Sequence, residues 1–431
     1  MHRPALLIAN ARVIDPASGR DAPGYVMVRD GRIESITDHA PFAAVDQTLD
    51  GSGLWLMPGI VDLAARFREP GQTHKASFAS ETLAAQCAGI TAITLPPDTQ
   101  PPIASPAVAD RVRGIAARTG GLDVYMLGAL TQDLGGENLA EMSALKQAGC
   151  VGVSNAAFGL RDSLVGRRAL DYAQGLGLTV HVFAQNPALA NRGCAHEGPV
   201  ATRLGLAPIP VAAEVSAIRF WISLVEDTGA AVHFGRLSTA RGVEMVETAR
   251  RSGLPVSADV AAHQLFLTAQ DVGNFNAQCH VLPPLRSAED RDALRAGVAR
   301  GAVQAICSDH QPHEADAKIN PFPLTEPGIS GLETLLPLGL QLVQDGLLTP
   351  LQLAERLSLG PARILGVEAG ALLVSAAANL VLLDPCASWQ VDRHRLRSAG
   401  HNTPFHGRTL PGRVHATLHA GSLVYRQPPP V

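Results

Sequence analysis

Three short segments hold most of the side chains able to do chemistry. Residues 62–71 read Asp-Leu-Ala-Ala-Arg-Phe-Arg-Glu-Pro-Gly and carry Arg66 and Arg68. Residues 232–239 carry His233 and Arg236, and residues 308–313, Ser-Asp-His-Gln-Pro-His, carry Asp309, His310 and His313. Guanidinium groups favour carboxylates, which they hold through paired N–H donors. Arg66, Arg68, Arg236 and His313 could therefore bind an anionic metabolite. An aspartate buried beside such cations would more readily form an internal salt bridge than stand alone, because an unpaired buried carboxylate is costly. Asp309 is accordingly expected to pair with Arg66 or Arg236. His181 and His233, flanked by apolar residues, read as core histidines. The six cysteines are scattered singly with no Cys-x-x-Cys, so neither a zinc knuckle nor a disulfide framework is indicated.

The elements that must position these residues are legible in the hydrophobic pattern. Short apolar runs at 56–63, 90–95, 124–130, 152–154, 179–183, 231–234, 256–260 and 303–308 read as strands. Amphipathic stretches at 81–88, 139–148, 164–176 and 241–252 read as helices between them. Eight strands with crossovers over this length predict an α/β chain whose centre is a (β/α)8 TIM barrel, with chemistry placed just beyond the strand C-termini. Both ends of the chain are β-rich, and Asp30-Gly31 is a hairpin signal. Residues 1–55 and 366–431 are expected to form one composite β-sandwich domain around a barrel at 56–365.

With 431 residues, 46% hydrophobic and 17% charged, the chain can bury a large core and is not a disordered sequence. Its formal charge of −4 argues against nucleic acid or an anionic membrane as the main partner. No apolar run approaches a membrane span, and the N-terminal run lacks the length and cleavage site of a signal peptide, so a cytoplasmic location is expected.

The segment Met57-Pro58-Gly59-Ile60-Val61-Asp62-Leu63-Ala64-Ala65-Arg66-Phe67-Arg68-Glu69-Pro70-Gly71 resembles the dihydroorotase branch of the amidohydrolase superfamily, whose pattern is P-G-x-I/V-D-x-H-x-H-L/F-R-E-P-G. The resemblance runs through nearly the whole chain. Pro96-Pro97-Asp98-Thr99-Gln100-Pro101-Pro102-Ile103 is similar to M-P-N-T-x-P-P-I, and Val232–Thr239 to V-H-x-x-H-V/L-S-T. Leu282-Pro283-Pro284-Leu285-Arg286, Ser308–His313, the Pro327–Thr334 stretch and Asn402-Thr403-Pro404-Phe405 complete it.

What the resemblance implies is a family cofactor, zinc, without its ligands. The two histidine positions after the first strand hold Ala64 and Arg66, the acidic position after the fourth holds Asn155, and the histidine positions after the fifth and sixth hold Phe183 and Arg236. Asp309 alone retains its family identity, that of proton acceptor from the attacking water. A catalytic zinc needs three protein ligands and an open position, so no metal and no catalysis are expected. The substrate-like shell is partly kept: Arg68 matches the arginine that grips the substrate carboxylate and His313 a second contact, while Asp98 stands where the family has asparagine. The resemblance therefore points to a dihydroorotase-like pseudoenzyme. It further implies a non-catalytic, structural subunit assembled with the catalytic chains of aspartate carbamoyltransferase in pyrimidine biosynthesis. The alternatives are an active cyclic-amide hydrolase with a rebuilt site, dihydroorotase- or allantoinase-like, and an anionic-metabolite sensor using the old pocket.

Overall fold

The computed structural model describes residues 5–42 and 44–428. Its centre is a parallel eight-stranded sheet built in chain order from β1 (Ile60–Asp62), β2 (Ile90–Leu95), β3 (Asp123–Ala129), β4 (Cys150–Ser154), β5 (Thr179–Phe183), β6 (Val232–Gly235), β7 (Val256–Ala261) and β8 (Ala305–Cys307). Each strand pairs with the next, from β1 through to β8. The strands are nearly continuous apolar runs because helices cover the outer face. Leu and Val side chains on Ser163–Gly175, Val211–Thr228 and Ala240–Arg251 contribute to that shell, and the first and third of these helices start at side-chain caps, Asp162 and Thr239.

β1 and β8 meet through the chain just beyond them. The Arg66 amide donates to the His310 carbonyl at 2.9 Å, and the His310 amide to the Ala64 carbonyl at 3.0 Å. Below this pair the buried Asp62 carboxylate accepts from the Ser308 amide at 2.9 Å and from the Ser308 hydroxyl. Asp62 thus fastens the seam of the barrel.

Strands from both termini form a second eight-stranded sheet, with Leu6–Asp15, Arg20–Arg29 and Arg32–Thr37 at one side and Leu380–Gln390, Thr409–His419 and Ser422–Arg426 at the other. Alternation along these strands feeds two cores. Leu380 and Leu382 pack with Leu6, Ile8 and Val26, whereas Val381 and Leu383 pack with the barrel. The run at 56–63 is not one strand. Trp55–Pro58 pairs with both terminal segments, and only Ile60–Asp62 enters the barrel. The switch falls at Gly59, where the backbone lies against Thr91; a Cβ there would sit 2.1 Å from the Thr91 hydroxyl oxygen. Among the described residues no helix is long and apolar enough to cross a membrane.

Gly59→Ala should therefore destabilise the chain by about 1–3 kcal/mol, the usual range for forcing atoms into a packed core. Urea unfolding checks this, and an unchanged midpoint would show that the crossing between sheets has slack.

Candidate functional site

The C-terminal ends of the barrel strands bring the expected residues together, in a pattern governed by charge pairing. Arg236 leaves the end of β6 and its Nη1 donates to Asp309 Oδ1 at 2.9 Å. Arg66, from the other side, approaches the same oxygen with Nη1 at 3.7 Å and bonds Asp98 Oδ2 through Nε at 2.9 Å. Gln311 Nε2 completes the shell of Asp309, 3.1 Å from both carboxylate oxygens. Asp309 is 1% exposed and Arg66 8%, and with the partly buried Asp98 and Arg236 they form an alternation of charges, Asp98–Arg66–Asp309–Arg236. Burial pushes the Asp98 carboxyl up, but Arg66, Arg68 and Arg236 outweigh it and hold it below the ordinary carboxylate range. Burial likewise disfavours the Arg236 cation, and Asp309 more than restores it. The pairing expected for Asp309 is present, and with both arginines at once.

Phe183, at the end of β5, covers Arg236: the guanidinium carbon lies 4.7 Å from the ring centroid. Asn155, beyond β4, turns its amide into the loop that follows. Its Nδ2 contacts the carbonyls of Leu134, Phe158 and Gly159, and its Oδ1 accepts from the Thr131 hydroxyl at 2.6 Å. Ala64 contributes backbone only, in the seam with His310. The space left in the mouth, bordered by Ala64, Arg66, Phe183, Arg236 and Asp259, is about 40 Å³. That is room for a few waters, and too little for a cyclic amide.

Arg68 does not present a free fork. Nε donates to the Pro312 carbonyl at 3.0 Å, Nη1 to Gln72 Oε1 at 3.3 Å, and Nη2 lies 3.1 Å from His313 Nε2. Lys75 Nζ is 3.4 Å from His313 Nδ1 and can only donate. Arg68 can likewise only donate, so the two cations compete for the single lone pair of a neutral imidazole, and Nε2 also lies 3.1 Å from the Pro327 carbonyl. Burial, with Arg68 and Lys75 nearby, pushes the His313 pKa down to about 2, and burial with Arg66 lowers Arg68 to about 10. The substrate-like set divides accordingly: Arg68 sits with His313, while Asp98 belongs to Arg66.

Several structural partners carry no signal in the sequence. His233 is 2.8 Å from Asp259 and 2.9 Å from Ser257, and the His181 ring lies beside it, tilted by 59° with centroids 5.0 Å apart. Both histidines are core residues. His310 faces Glu81 at 2.8 Å, with its Nδ1 accepting from the Gly331 amide. Only proximity after folding reveals these pairs, since Glu81 and His310 are 229 positions apart. Four residues of the mouth, Arg68, Ala156, Arg236 and Asp309, have φ of 62°, 49°, 58° and 45°. Non-glycine residues adopt this left-handed region only where the surroundings over-determine it.

The donor set does not fit zinc. Alanine, phenylalanine and two arginines provide no lone pair, and among the described residues no group of three or more His, Cys, Asp and Glu is arranged to hold a metal ion. The barrel with a terminal β-sheet shares its fold with L-hydantoinase from Arthrobacter aurescens, which superposes with a TM-score of 0.90 at 24% identity, covering 98% of this chain and 96% of that one. The dihydro-orotase-like family pattern matches residues 53–241, and the amidohydrolase family pattern residues 178–424. A dihydroorotase-like protein from Pseudomonas aeruginosa is 48% identical over 97% of this chain and 99% of its own length. A dihydroorotase from Anaeromyxobacter sp. is 42% identical over 98% of each. The chain belongs to the amidohydrolase family, within its dihydroorotase-like members.

Acid should weaken the fold. Burial holds His181, His263, His280 and His313 neutral, at about 3, 4, 4 and 2, against roughly 6.5 when unfolded. Burial raises Asp62 and Glu333 to about 7, so these carboxyls release protons on unfolding in the same window. The imidazoles outnumber the carboxyls, and unfolding near pH 5 takes up about two protons net. Stability is then expected to fall by roughly 2 kcal/mol from pH 6 to pH 5. Urea unfolding at the two values checks this; equal or greater stability at pH 5 contradicts it.

Proposed function

We propose that this chain is a catalytically inactive, cytoplasmic dihydroorotase homologue that serves as a structural subunit of aspartate carbamoyltransferase. One observation carries the inactive half of the reading: the Arg66–Asp309–Arg236 cluster fills the place where a metal would have to sit. Without a metal, no group in the mouth can bring a water toward hydroxide near neutral pH or polarise the ring carbonyl. Asp309 is already engaged by two cations and Gln311. The structural half follows from what is kept. A fold retained without its chemistry leaves its surface as the working part, and fold alone does not say which surface.

A second reading, a working cyclic-amide hydrolase, is favoured by the name dihydroorotase carried by the 42% identical Anaeromyxobacter relative. It requires ligands that Ala64, Arg66, Phe183 and Arg236 do not supply. On the proposed reading, restoring Ala64→His and Arg66→His together gives no dihydroorotate hydrolysis, because Phe183 and Arg236 still deny a three-ligand site.

The test is co-expression with the aspartate carbamoyltransferase of the same organism. A stable, stoichiometric complex burying well over about 1,000 Å² per interface is expected, with the transferase less active or poorly assembled alone. Purified chain should show neither bound zinc nor dihydroorotate hydrolysis. Hydrolysis that disappears on zinc removal would establish the second reading, and a transferase indifferent to this chain would end the subunit role.

A further inference from the structure

A second cavity lies beside the mouth, between the loops that follow β4 and β5 and the helix Val211–Thr228. It has a volume of about 260 Å³, more than six times that of the mouth. Phe183 borders both spaces and stands between Arg236 and this cavity as a partition. Phe158, Phe220 and Trp221 supply aromatic wall, and Gln185 and Asn186 supply amides. The floor is built in advance, since Asn155 ties the 156–159 loop down through the carbonyls of Phe158 and Gly159.

Two observations indicate what this cavity would take. Ser216 Oγ, on a residue of its lining, is buried with no hydrogen-bond partner, whereas the likewise unpaired His181 Nε2 lies against Gly152. Buried polar atoms left unpaired are costly, and a ligand with a polar edge, coupled to a small rotation of the serine, relieves that cost. His181 is 7% exposed and is held neutral by burial, at about 3. The lining contains no arginine or lysine; its one charged side chain, Asp162, is already engaged as the cap of the following helix, accepting from the Val165 amide at 3.0 Å. An anion would meet no counter-charge here. The apolar wall with a few convergent polar groups is the usual composition of a small-molecule site.

We propose that this cavity is a binding site for an uncharged aromatic molecule with one polar edge, separate from the barrel mouth. The assignment is independent of the proposed subunit role and of any catalysis. It also gives Phe183 and Asn155 a positive use, as the partition and the anchor of a pocket.

Benzamide and benzoate have the same ring and differ in the charge of the edge, which makes them the discriminating probes. Isothermal titration of the full chain should show saturable, millimolar or tighter binding of benzamide, within reach of so small a ligand. Benzoate should bind at least about tenfold more weakly, as expected for a charge taken from water with no partner. Ala217→Leu, which adds bulk to the buried wall, should abolish benzamide binding. Ala157→Trp does the same from the exposed rim, where folding is not at stake. Absence of benzamide binding, equal or tighter binding of benzoate, or benzamide binding that survives Ala157→Trp would each overturn the proposal.

Discussion

Everything in the barrel mouth depends on Asp309 being shared by two buried arginines. A carboxylate at 1% exposure cannot stay ionised without counter-charge, and a guanidinium cannot be neutralised by losing a proton. Two cations and one anion would leave a surplus charge in a low-dielectric space, and Asp98 removes it by pairing with Arg66. The four groups form a balanced set in which removing one member exposes another. Attraction between unit charges at such distances is several kcal/mol even with substantial screening, so a dication could recruit Asp98 or Asp309 only by displacing the arginine that already holds it. The same network that makes the mouth stable makes it a poor host for a metal.

The short motifs around the mouth have structural work of the same kind. Ser308 bonds Asp62 across the barrel seam, His310 bonds Glu81, and the His313 amide donates to Asn402 Oδ1 at 2.9 Å. Asn402 Nδ2 in turn holds the Gln311 and Gly328 carbonyls at 2.9 and 3.0 Å. Arg286, of the Pro-Pro-Leu-Arg segment, donates to Ser238 Oγ and the Ile209 carbonyl. Each of these residues bonds a polar group from a distant strand, helix or loop, which ties the loops over the mouth to the barrel. The left-handed turns at Arg68, Arg236 and Asp309 persist inside the same frame.

The barrel was legible because its strands are apolar runs of strand length separated by amphipathic helices, a pattern local in sequence. The pairing of Asp309 was legible for a different reason: residues beyond successive strand ends converge in any barrel, and charge balance then leaves few choices. The split at Gly59 was not legible, since Trp55–Pro58 and Ile60–Asp62 form one apolar run and only pairing partners far along the chain assign them to different sheets. The engagement of Arg68 by Pro312, Gln72 and His313 was hidden similarly; a motif match names a side chain but not whether its donors are free. Nor does any pattern report a cavity, which is left by packing between two loops and a later helix.

The central claim is that the Arg236–Asp309 pair is a coupled, structural replacement for a metal centre. A double-mutant cycle with Arg236→Met and Asp309→Leu, read by urea unfolding, tests it most directly. Each single variant should be strongly destabilised because it strands the opposite charge, and the double variant should recover part of the loss, with a coupling energy above about 1.5 kcal/mol. Additive effects, with coupling below about 0.5 kcal/mol, would contradict it and show that the two charges fold without reference to each other.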